Sequence, residues 1–458
     1  MLLSLLIAAC TSGTDEDSQG PADSETDVTE TGGTETSSPH TGGEDSEAPV
    51  SDDPDLVVIS IDTLRRDAVG RHGGYDTPNL DALLASGLSF DNHRSCSNWT
   101  FPSMLCGLTG SGLLELEFVP VATPTESPVP VPDGITMLGD FARARGYRSA
   151  AVNTSPFLTD EFNGQRWDSS IYNIDFTGEQ LAAAAMAQAE LLMAEPGPWA
   201  LHAHFMDPHS PFDPPDGYLD LSGTDAVPWN LATEVGLEAM RADWDTLSDD
   251  EQQNALEIID RRYEGDVRYF DDQLGVFLAD LEALGALDDA VILVFSDHGE
   301  QFMEHGGVTH GQDLYDEEAG AIAALVGAPF GASSSTAPTT HADLLPTLFT
   351  GLSWDLPASF TGSDVALIDE DRSRTAIHLF SNGTEQTLDL GSLRLLYRWS
   401  GELELYDLSS DPQEQNDLAA EPEWLEQRNT MWERLAPQVQ ALAELYTTVT
   451  PIWPDLSQ

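Results

Sequence analysis

The sequence contains no lysine, so its 18 basic residues are all arginines, and they stand against 80 acidic residues in a chain of 458. The net charge of -62 argues against nucleic acid as a partner, because the phosphate backbone would be repelled. It argues equally against direct binding to an anionic membrane surface. An anionic substrate would need local compensation from a metal cation, arginine or histidine.

The sequence also has few long hydrophobic runs, and the N-terminal run MLLSLLIAAC is too short to span a bilayer. Its last residues, Ile-Ala-Ala before Cys10, resemble the lipobox of bacterial lipoproteins, in which the cysteine is lipidated and becomes the mature N-terminus. We therefore expect residues 1–10 to be a lipoprotein-type signal. The protein would then be exported and membrane-anchored through Cys10, in the periplasm or at the cell surface. The alternative is an apolar terminus without this role.

Apolar residues are nearly absent from residues 11–54, which are rich in acidic residues, serine, threonine and glycine. Such a composition cannot bury a core, so it predicts an acidic disordered linker. Cysteine is rare as well, with three in the whole chain. Cys96 and Cys106 bracket the segment NWTFPSM, and in an exported protein they are able to pair, which the sequence leaves open.

From Asp55 onward, apolar runs typical of buried strands alternate with segments typical of helices. The predicted strands cover residues 55–61, 147–153, 199–206, 290–296 and 321–329, and the predicted helices cover residues 77–87, 248–284 and 341–352. This alternation predicts an α/β domain over residues 55–372, with a mostly parallel central sheet and helices on both faces. Residues 111–134, rich in proline, valine and threonine, are interpreted as a loop or lid.

The pattern changes in residues 373–458. The segment LRLLYRWSGELELYDL predicts an antiparallel hairpin that turns at Ser400 and Gly401, and a helix is expected from about Glu423. These elements predict a small C-terminal α+β subdomain with an antiparallel sheet.

Thr100, in the segment NWTFPSM, allows two interpretations. Threonine is a good N-cap, and a proline is tolerated in the first turn of the helix that would follow. A hydroxyl at a helix N-terminus also faces unpaired N–H groups, where an anion binds, so the same residue is a candidate nucleophile. The two roles are compatible.

Polar residues follow three of the predicted strands at the edge of the sheet where ligands bind. They are Asp62 after the first strand, Asp207 and His209 after the third, and Asp297, His298 and Glu300 after the fourth; a glycine-rich loop then carries His305 and His310. Carboxylates and imidazoles crowded together repel one another or stay unpaired unless a cation joins them. The clusters therefore predict a site for a divalent ion.

The motifs LVVISIDTLRRDAVGRHG, NWTFPSMLCGLTG, MDPHSPF, VFSDHGEQFMEHG, HADLLPTLF and ELYDLSSDPQEQNDLA occur in the order and spacing of sulfatases. The chain therefore resembles the sulfatase family of the alkaline phosphatase superfamily from about Asp55 to Leu418. The resemblance implies an alkaline phosphatase/sulfatase-like fold and a metal-dependent hydrolase of sulfuric or phosphoric esters.

Carried over residue by residue, the resemblance implies a metal site of Asp62, Thr100, Asp297 and His298. Thr100 takes the position of the family's nucleophile, and His209 and His310 take those of histidines that contact the substrate's anionic group, which makes all three candidate catalytic residues. Asp207 joins these histidines as a candidate substrate-binding residue. One ion of calcium, magnesium, manganese or zinc is expected, and a second near Asp207 and His209 is left open.

Three departures from the family pattern bear on the mechanism. Active sulfatases carry Cys or Ser in a Cys-x-Pro-x-Arg frame that is converted to formylglycine, whereas Thr100 and Met104 stand in place of the convertible residue and the arginine here. The paired aspartates of the family's first strand are Asp62 and Thr63 in this chain. The family's substrate-binding lysines are missing with all other lysines.

A threonine hydroxyl that coordinates a divalent cation is an activated nucleophile. In-line attack on a phosphate ester, diester or phosphonate would give a phosphothreonine, which a water activated by His209 or His310 would hydrolyse. Sulfate release is less natural by this route, because formylglycine releases sulfate by collapsing to an aldehyde. We therefore expect a phosphorus ester carried by a small molecule, a glycan or a lipid. The alternatives are a sulfuric ester hydrolase of the arylsulfatase type and a non-catalytic, lipid-anchored binding protein that retains the fold.

Overall fold

The computed structural model describes residues 53–118, 130–163, 166–380, 383–446 and 450–456. The predicted signal with Cys10, the linker up to residue 52 and residues 119–129 of the predicted loop lie outside the described residues. In the part of the chain that is described, no helix is both long and apolar enough to cross a membrane.

The strands are numbered in chain order as β1 Asp55–Ile61, β2 Leu88–Phe90, β3 His93–Arg94, β4 Arg148–Asn153, β5 Ser169–Tyr172, β6 Trp199–Phe205, β7 Ala290–Ser296, β8 Gln301–Phe302, β9 Val308–Thr309, β10 Ala323–Val326, β11 Ser333–Ser335, β12 Thr339–Thr340, β13 Arg374–Phe380, β14 Gly383–Leu390, β15 Leu393–Arg398 and β16 Leu403–Asp407. The helices are α1 Pro78–Ser86, α2 Thr100–Thr109, α3 Leu138–Ala144, α4 Asp160–Asn163, α5 Gly178–Met193, α6 Glu234–Asp243, α7 Asp249–Leu284, α8 Asp316–Ala319, α9 Leu344–Gly351 and α10 Leu425–Leu445. Short 3₁₀ turns lie between several of these elements.

The central sheet has eight strands in the order β11-β2-β10-β7-β1-β6-β4-β5. β7, β1, β6, β4 and β5 are parallel neighbours, whereas β10 runs antiparallel to both β7 and β2. The predicted mostly parallel sheet is therefore confirmed, with one reversed strand that the apolar run at 321–329 did not reveal. Its parallel part carries the ligand-binding edge expected of such sheets.

β1 forms because its apolar side chains alternate between two buried faces of the sheet. Leu56 and Val58 join a core that includes side chains of α2, α3 and α9, while Val57 and Ile59 join a core that includes side chains of α1, α5 and α7. The predicted helical layers on both faces are confirmed. Asp62, the first residue after this strand, is thereby fixed at the centre of the sheet edge.

The long helix α7 matches its predicted bounds because both of its ends are specified by sequence. Ser248 accepts a hydrogen bond from the Glu251 N–H and Glu251 accepts one from the Ser248 N–H, which forms a capping box. Gly285 adopts φ 78° and ends the helix in the left-handed region. α5 was not predicted, although Thr177 and Gln180 form the same kind of box before its alanine-rich run.

The C-terminal sheet is antiparallel, as predicted, and the β15–β16 hairpin turns at Ser400 and Gly401 as expected. Its four strands lie in the order β13-β14-β15-β16. Gly401 has φ 99°, which a residue with a side chain rarely adopts. A buried ion cluster joins this sheet to the rest of the chain. Asp389 on β14 accepts hydrogen bonds from Arg94 of β3 at 3.0 Å, Arg374 at 2.9 Å and Arg394 at 2.9 Å.

We predict that Asp389→Asn lowers the free energy of unfolding by about 3–5 kcal/mol, because three buried guanidinium groups lose their shared anion. Burial alone would raise the pKa of Asp389, but the three arginines hold it well below its usual range. The carboxylate therefore contributes stability above its unfolded pKa of about 4, and this contribution is lost as pH falls through the lower folded value. Chemical denaturation at pH 7 measures the change, with the exposed Asp371→Asn as the control. An equal, small effect of both substitutions would contradict the prediction.

Candidate active site

The candidate site lies beyond the carboxyl ends of the central parallel strands. Asp62 directly follows β1, and Asp297 and His298 directly follow β7. The Asp62 N–H donates to the carbonyl of Phe205, the last residue of β6, at 2.9 Å. The backbone that carries these side chains is therefore held by the sheet itself.

Each of these three residues has one buried side-chain atom with no hydrogen-bond partner among the described residues: Asp62 Oδ1, Asp297 Oδ2 and His298 Nε2. His298 Nε2 lies 3.6 Å from Asp62 Oδ1 and 3.5 Å from Asp297 Oδ2. His298 Nδ1 donates to the Gly299 carbonyl at 3.0 Å, so the neutral ring directs a lone pair at the two carboxylates. These atoms repel one another unless a cation lies between them, and their chemistry suits a divalent ion.

The two carboxylates have opposite pKa shifts. Burial and the negative charge of Asp62 raise the pKa of Asp297 well above its usual range. Burial also acts to raise the pKa of Asp62, but His209 and the hydrogen bond from His204 outweigh it and leave this pKa below its usual value. Without a cation, the pair therefore favours one ionised and one protonated carboxyl group.

Thr63 fills the turn after Asp62 with φ 53°, a strained conformation for a β-branched residue. The turn directs the Thr63 N–H to Asp297 Oδ1 at 3.1 Å, and the His298 N–H donates to the same oxygen at 2.7 Å. Both donors occupy Oδ1 and leave Oδ2 for an ion. The Thr63 carbonyl accepts from Tyr263 at 2.8 Å, which holds the turn in place.

Thr100 begins α2, but it does not cap it, so the predicted capping role is wrong. Trp99 is the N-cap residue, and its side chain makes no capping hydrogen bond among the described residues. Thr100 Oγ1 instead donates a hydrogen bond to Asp62 Oδ2 at 3.5 Å. The hydroxyl therefore lies beside the three candidate metal-ligand atoms. The expected nearness of Thr100 to the metal ligands is therefore observed. Cys96 and Cys106 form a disulfide that brackets the residue, which the sequence left open.

His209, Glu300 and His310 form a second group beside the first. The ring centroids of His209 and His310 are 4.9 Å apart, and those of His298 and His310 are 4.6 Å apart. His310 Nδ1 is hydrogen-bonded to Glu300 Oε1 at 2.7 Å. Nε2 is therefore the nitrogen of this ring that is available to accept or donate a proton. Burial raises the pKa of Glu300 and lowers that of His310.

Asp207 belongs to neither group, and its role as a substrate-binding residue stays a prediction. Its carboxylate accepts from the backbone of Gly178 at the start of α5, and burial raises its pKa to about 6. His305 also turns away, because it contacts Glu317 at 2.5 Å and stacks on Tyr315. Asp62, Thr100, Asp297, His298, His209 and His310 do converge, and their roles stay predictions.

Two buried histidines at the site were missed. His204 Nε2 contacts Asp62 Oδ2 at 3.2 Å, and His341 Nε2 contacts the Asp297 carbonyl at 2.9 Å. The alternation of histidines in WALHAHFM was the available signal for His204, since a polar ring in an apolar strand needs a partner. For His341, the sequence offered no signal beyond its position before a predicted helix.

The Sulfatase family model matches residues 54–352 of this chain. An arylsulfatase of Clostridium perfringens (strain 13 / Type A) is 21% identical over 483 aligned residues, which cover 86% of this chain and 96% of the relative.

Solved structures of similar fold include a phosphonate monoester hydrolase of Agrobacterium radiobacter, with a TM-score of 0.62, 19% identity, and coverage of 86% of this chain and 96% of that one. A protein solved with its substrate D-glucosamine-2-N,6-O-disulfate has a TM-score of 0.69 at 18% identity, covering 86% of this chain and 98% of that one. At these identities the likeness establishes the fold.

We predict that Asp297→Asn and His298→Ala each abolish stoichiometric binding of a divalent ion, because each removes one of three converging donors. The fold should persist, because β7 and not the ion positions the loop. Metal analysis after dialysis against Mn²⁺ measures occupancy, and circular dichroism checks the fold. Asp207→Asn is the matched control and should bind one ion per chain like the wild type. Unchanged occupancy in both site variants would remove this site.

We also predict that ion binding releases a proton, because Asp297 must lose the proton that its raised pKa retains. The apparent affinity for Mn²⁺ should therefore rise with pH until this carboxyl group is ionised in the metal-free protein. Calorimetric titrations in two buffers of different ionisation enthalpy count the released protons. A binding enthalpy that is identical in both buffers would contradict this.

Proposed function

The chain belongs to the sulfatase family, and we propose that this hydrolase of sulfuric or phosphoric esters attacks a phosphorus ester with Thr100. The observation that carries the proposal is the set of unpartnered atoms of Asp62, Asp297 and His298, with the Thr100 hydroxyl 3.5 Å from Asp62 Oδ2. A divalent cation bound by these donors would lower the pKa of the hydroxyl and offset charge on the ester.

Thr100 takes the place of the formylglycine of active sulfatases in this proposal. Its place at the first residue of α2 supports the role, because the unpaired N–H groups of a helix N-terminus attract the anionic part of an ester. Met104 occupies the arginine position of the formylglycine frame and is 1% exposed, packed in the core. Thr100 therefore acts through its own hydroxyl.

The reaction proceeds by two displacements at phosphorus. Thr100 Oγ1 attacks opposite the leaving group, so an Oγ–P bond forms while the P–O bond to the leaving alcohol breaks and that oxygen takes a proton. A water then attacks the same phosphorus, the Oγ–P bond breaks, and Thr100 regains its hydroxyl. His310 is suited to move these protons at Nε2, since Glu300 holds its Nδ1.

A phosphorus ester fits this nucleophile better than a sulfate ester does. Formylglycine expels sulfate by collapsing to an aldehyde, and a threonine adduct has no equivalent second hydroxyl. Phosphothreonine, in contrast, is hydrolysed by direct attack on phosphorus. The fold shared with the phosphonate monoester hydrolase of Agrobacterium radiobacter agrees with this choice. Similarity to an arylsulfatase favours a sulfuric ester as the second candidate.

The charges at the site favour a monoanionic ester, such as a phosphodiester or a phosphonate monoester. The chain contains no lysine. Within the described residues, one arginine hydrogen bond reaches the two residue groups of the site, from Arg65 to the backbone carbonyl of Glu300 at 3.1 Å. Arg65 is already paired with Asp67 and Glu304. A dianionic phosphate monoester would therefore lack a lysine or a free arginine to balance its second charge, and Glu300 would repel it when ionised.

We further propose that the protein is exported and anchored to a membrane through lipidated Cys10, and acts on glycan-linked, lipid-linked or small esters outside the cytoplasm. The lipobox-like start supports the anchor. The Cys96–Cys106 disulfide supports an oxidising compartment.

We predict that Thr100→Ala lowers kcat by at least about 10³-fold, because the attacking atom is gone. Thr100→Ser should keep partial activity, since it keeps the hydroxyl. The panel is aryl phosphonate monoester, phosphodiester, phosphate monoester and sulfate ester, each with Mn²⁺, Ca²⁺ or Zn²⁺, and the first two should be the best substrates. Thr109→Ala, a buried threonine at the other end of α2, is the matched control and should stay active. Full turnover by metal-loaded Thr100→Ala would end the nucleophile proposal.

A further inference from the structure

We propose that a buried chain of hydroxyl and imidazole groups, made by His202, Ser60 and His204, positions Asp62 for the ion. The proposal rests on the metal site of the proposed function and adds two positioning residues to it, Ser60 and His204. Neither contacts the three converging donors directly, and both act through Asp62 Oδ2.

The sheet register brings these side chains together. Ser60 of β1 pairs in register with His204 of β6, and Val58 pairs with His202. Because alternate residues of a strand share a face, Ser60 and Asp62 lie on one side of the sheet with both histidines. All four are at most 2% exposed, so each polar atom needs a partner inside the protein.

The chain is continuous. His202 Nε2 lies 2.8 Å from Ser60 Oγ, Ser60 Oγ lies 2.8 Å from His204 Nδ1, and His204 Nε2 lies 3.2 Å from Asp62 Oδ2. Thr100 Oγ1 meets the same carboxylate oxygen. The structure therefore places a run of hydrogen bonds between the interior of the sheet and the metal-binding edge.

Hydrogen-bond chemistry fixes the direction of every link. A carboxylate that binds a cation only accepts hydrogen bonds, so His204 must donate from Nε2. With one proton on the ring, His204 accepts at Nδ1, which makes the Ser60 hydroxyl the donor, and the Ser60 oxygen in turn accepts from His202 Nε2–H. Ser60 and His204 each serve once as donor and once as acceptor along the chain.

The chain of hydrogen bonds affects the two carboxylate oxygens of Asp62 differently. His204 and Thr100 occupy Asp62 Oδ2, and Oδ1 is left facing Asp297 and His298. Without the Ser60 hydroxyl, His204 is free to take the other tautomer, whose Nε2 lone pair faces the carboxylate and repels it. Ser60 thus controls the orientation of a metal ligand that it does not touch.

A second chain of the same design ends on the other aspartate. Thr339 Oγ1 lies 3.0 Å from His93 Nδ1, His93 Nε2 lies 2.9 Å from His341 Nδ1, and His341 Nε2 lies 2.9 Å from the Asp297 carbonyl. A carbonyl only accepts, so this chain also has one direction, from the threonine hydroxyl to Asp297. A chain of one hydroxyl and two imidazole rings therefore ends on each aspartate.

The test is the affinity of the metal-free full chain for Mn²⁺, measured by calorimetry at fixed pH, together with the Tm without metal. Ser60→Ala should weaken Mn²⁺ binding by about 10-fold, and His204→Leu by about 10–100-fold, as for other partners of metal ligands. His204→Gln should restore much of the loss, because its amide N–H is able to donate to Asp62 Oδ2. Ser149→Ala is the matched control. Ser149 is a buried serine of β4 whose hydroxyl bonds Asp168, so its loss should lower Tm and leave Mn²⁺ affinity unchanged.

Mn²⁺ affinity within twofold of wild type in Ser60→Ala would overturn the inference, provided that Asp62→Asn has lost binding. Equal loss in His204→Gln and His204→Leu would overturn the claim that the donated N–H is what matters. A wild-type chain that binds no stoichiometric ion would instead remove the proposed metal site, and the inference with it. If His204→Leu does not fold, Ser60→Ala and His204→Gln still decide the matter.

Discussion

Two buried carboxylates that face one imidazole nitrogen, with no basic side chain between them, set the conditions for the rest of this active site. Asp62 and Asp297 are both fully buried, and the pair is stable as two anions only around a cation taken from solution. The surroundings must therefore satisfy the outer oxygens with hydrogen-bond donors and leave the inner ones free. The Thr63 turn does this for Asp297, and His204 does it for Asp62.

The same constraint connects the composition of the chain to its function. Arginines are the sole strong cations, and the buried ones serve the scaffold, as Arg94, Arg374 and Arg394 do around Asp389. An anionic ester then depends on the bound ion, the helix N-terminus at Thr100 and the histidines. A site balanced in this way suits one substrate charge better than two, and its nucleophile suits phosphorus better than sulfur.

The parts of the fold that the sequence predicted are those specified locally. β1 and β7 are continuous apolar runs, and α7 has a capping box at one end and a left-handed glycine at the other, so their bounds were found. The reversed direction of β10 depends on its neighbours in the sheet, and no local pattern encodes it. The same division applies to the site. Asp62, Asp297 and His298 follow predicted strands, whereas His204 becomes important only through the pairing of β6 with β1, and Asp207 turned instead to the start of α5.

The central claim is that a covalent bond between Thr100 and phosphorus forms and breaks during each turnover. The steric course of hydrolysis at phosphorus tests it most directly, using one stereoisomer of an aryl phosphorothioate diester in ¹⁸O-labelled water. Two successive in-line displacements, the first by Thr100 and the second by water, predict net retention of configuration. Net inversion would mean that water attacks the ester directly, and it would contradict the account.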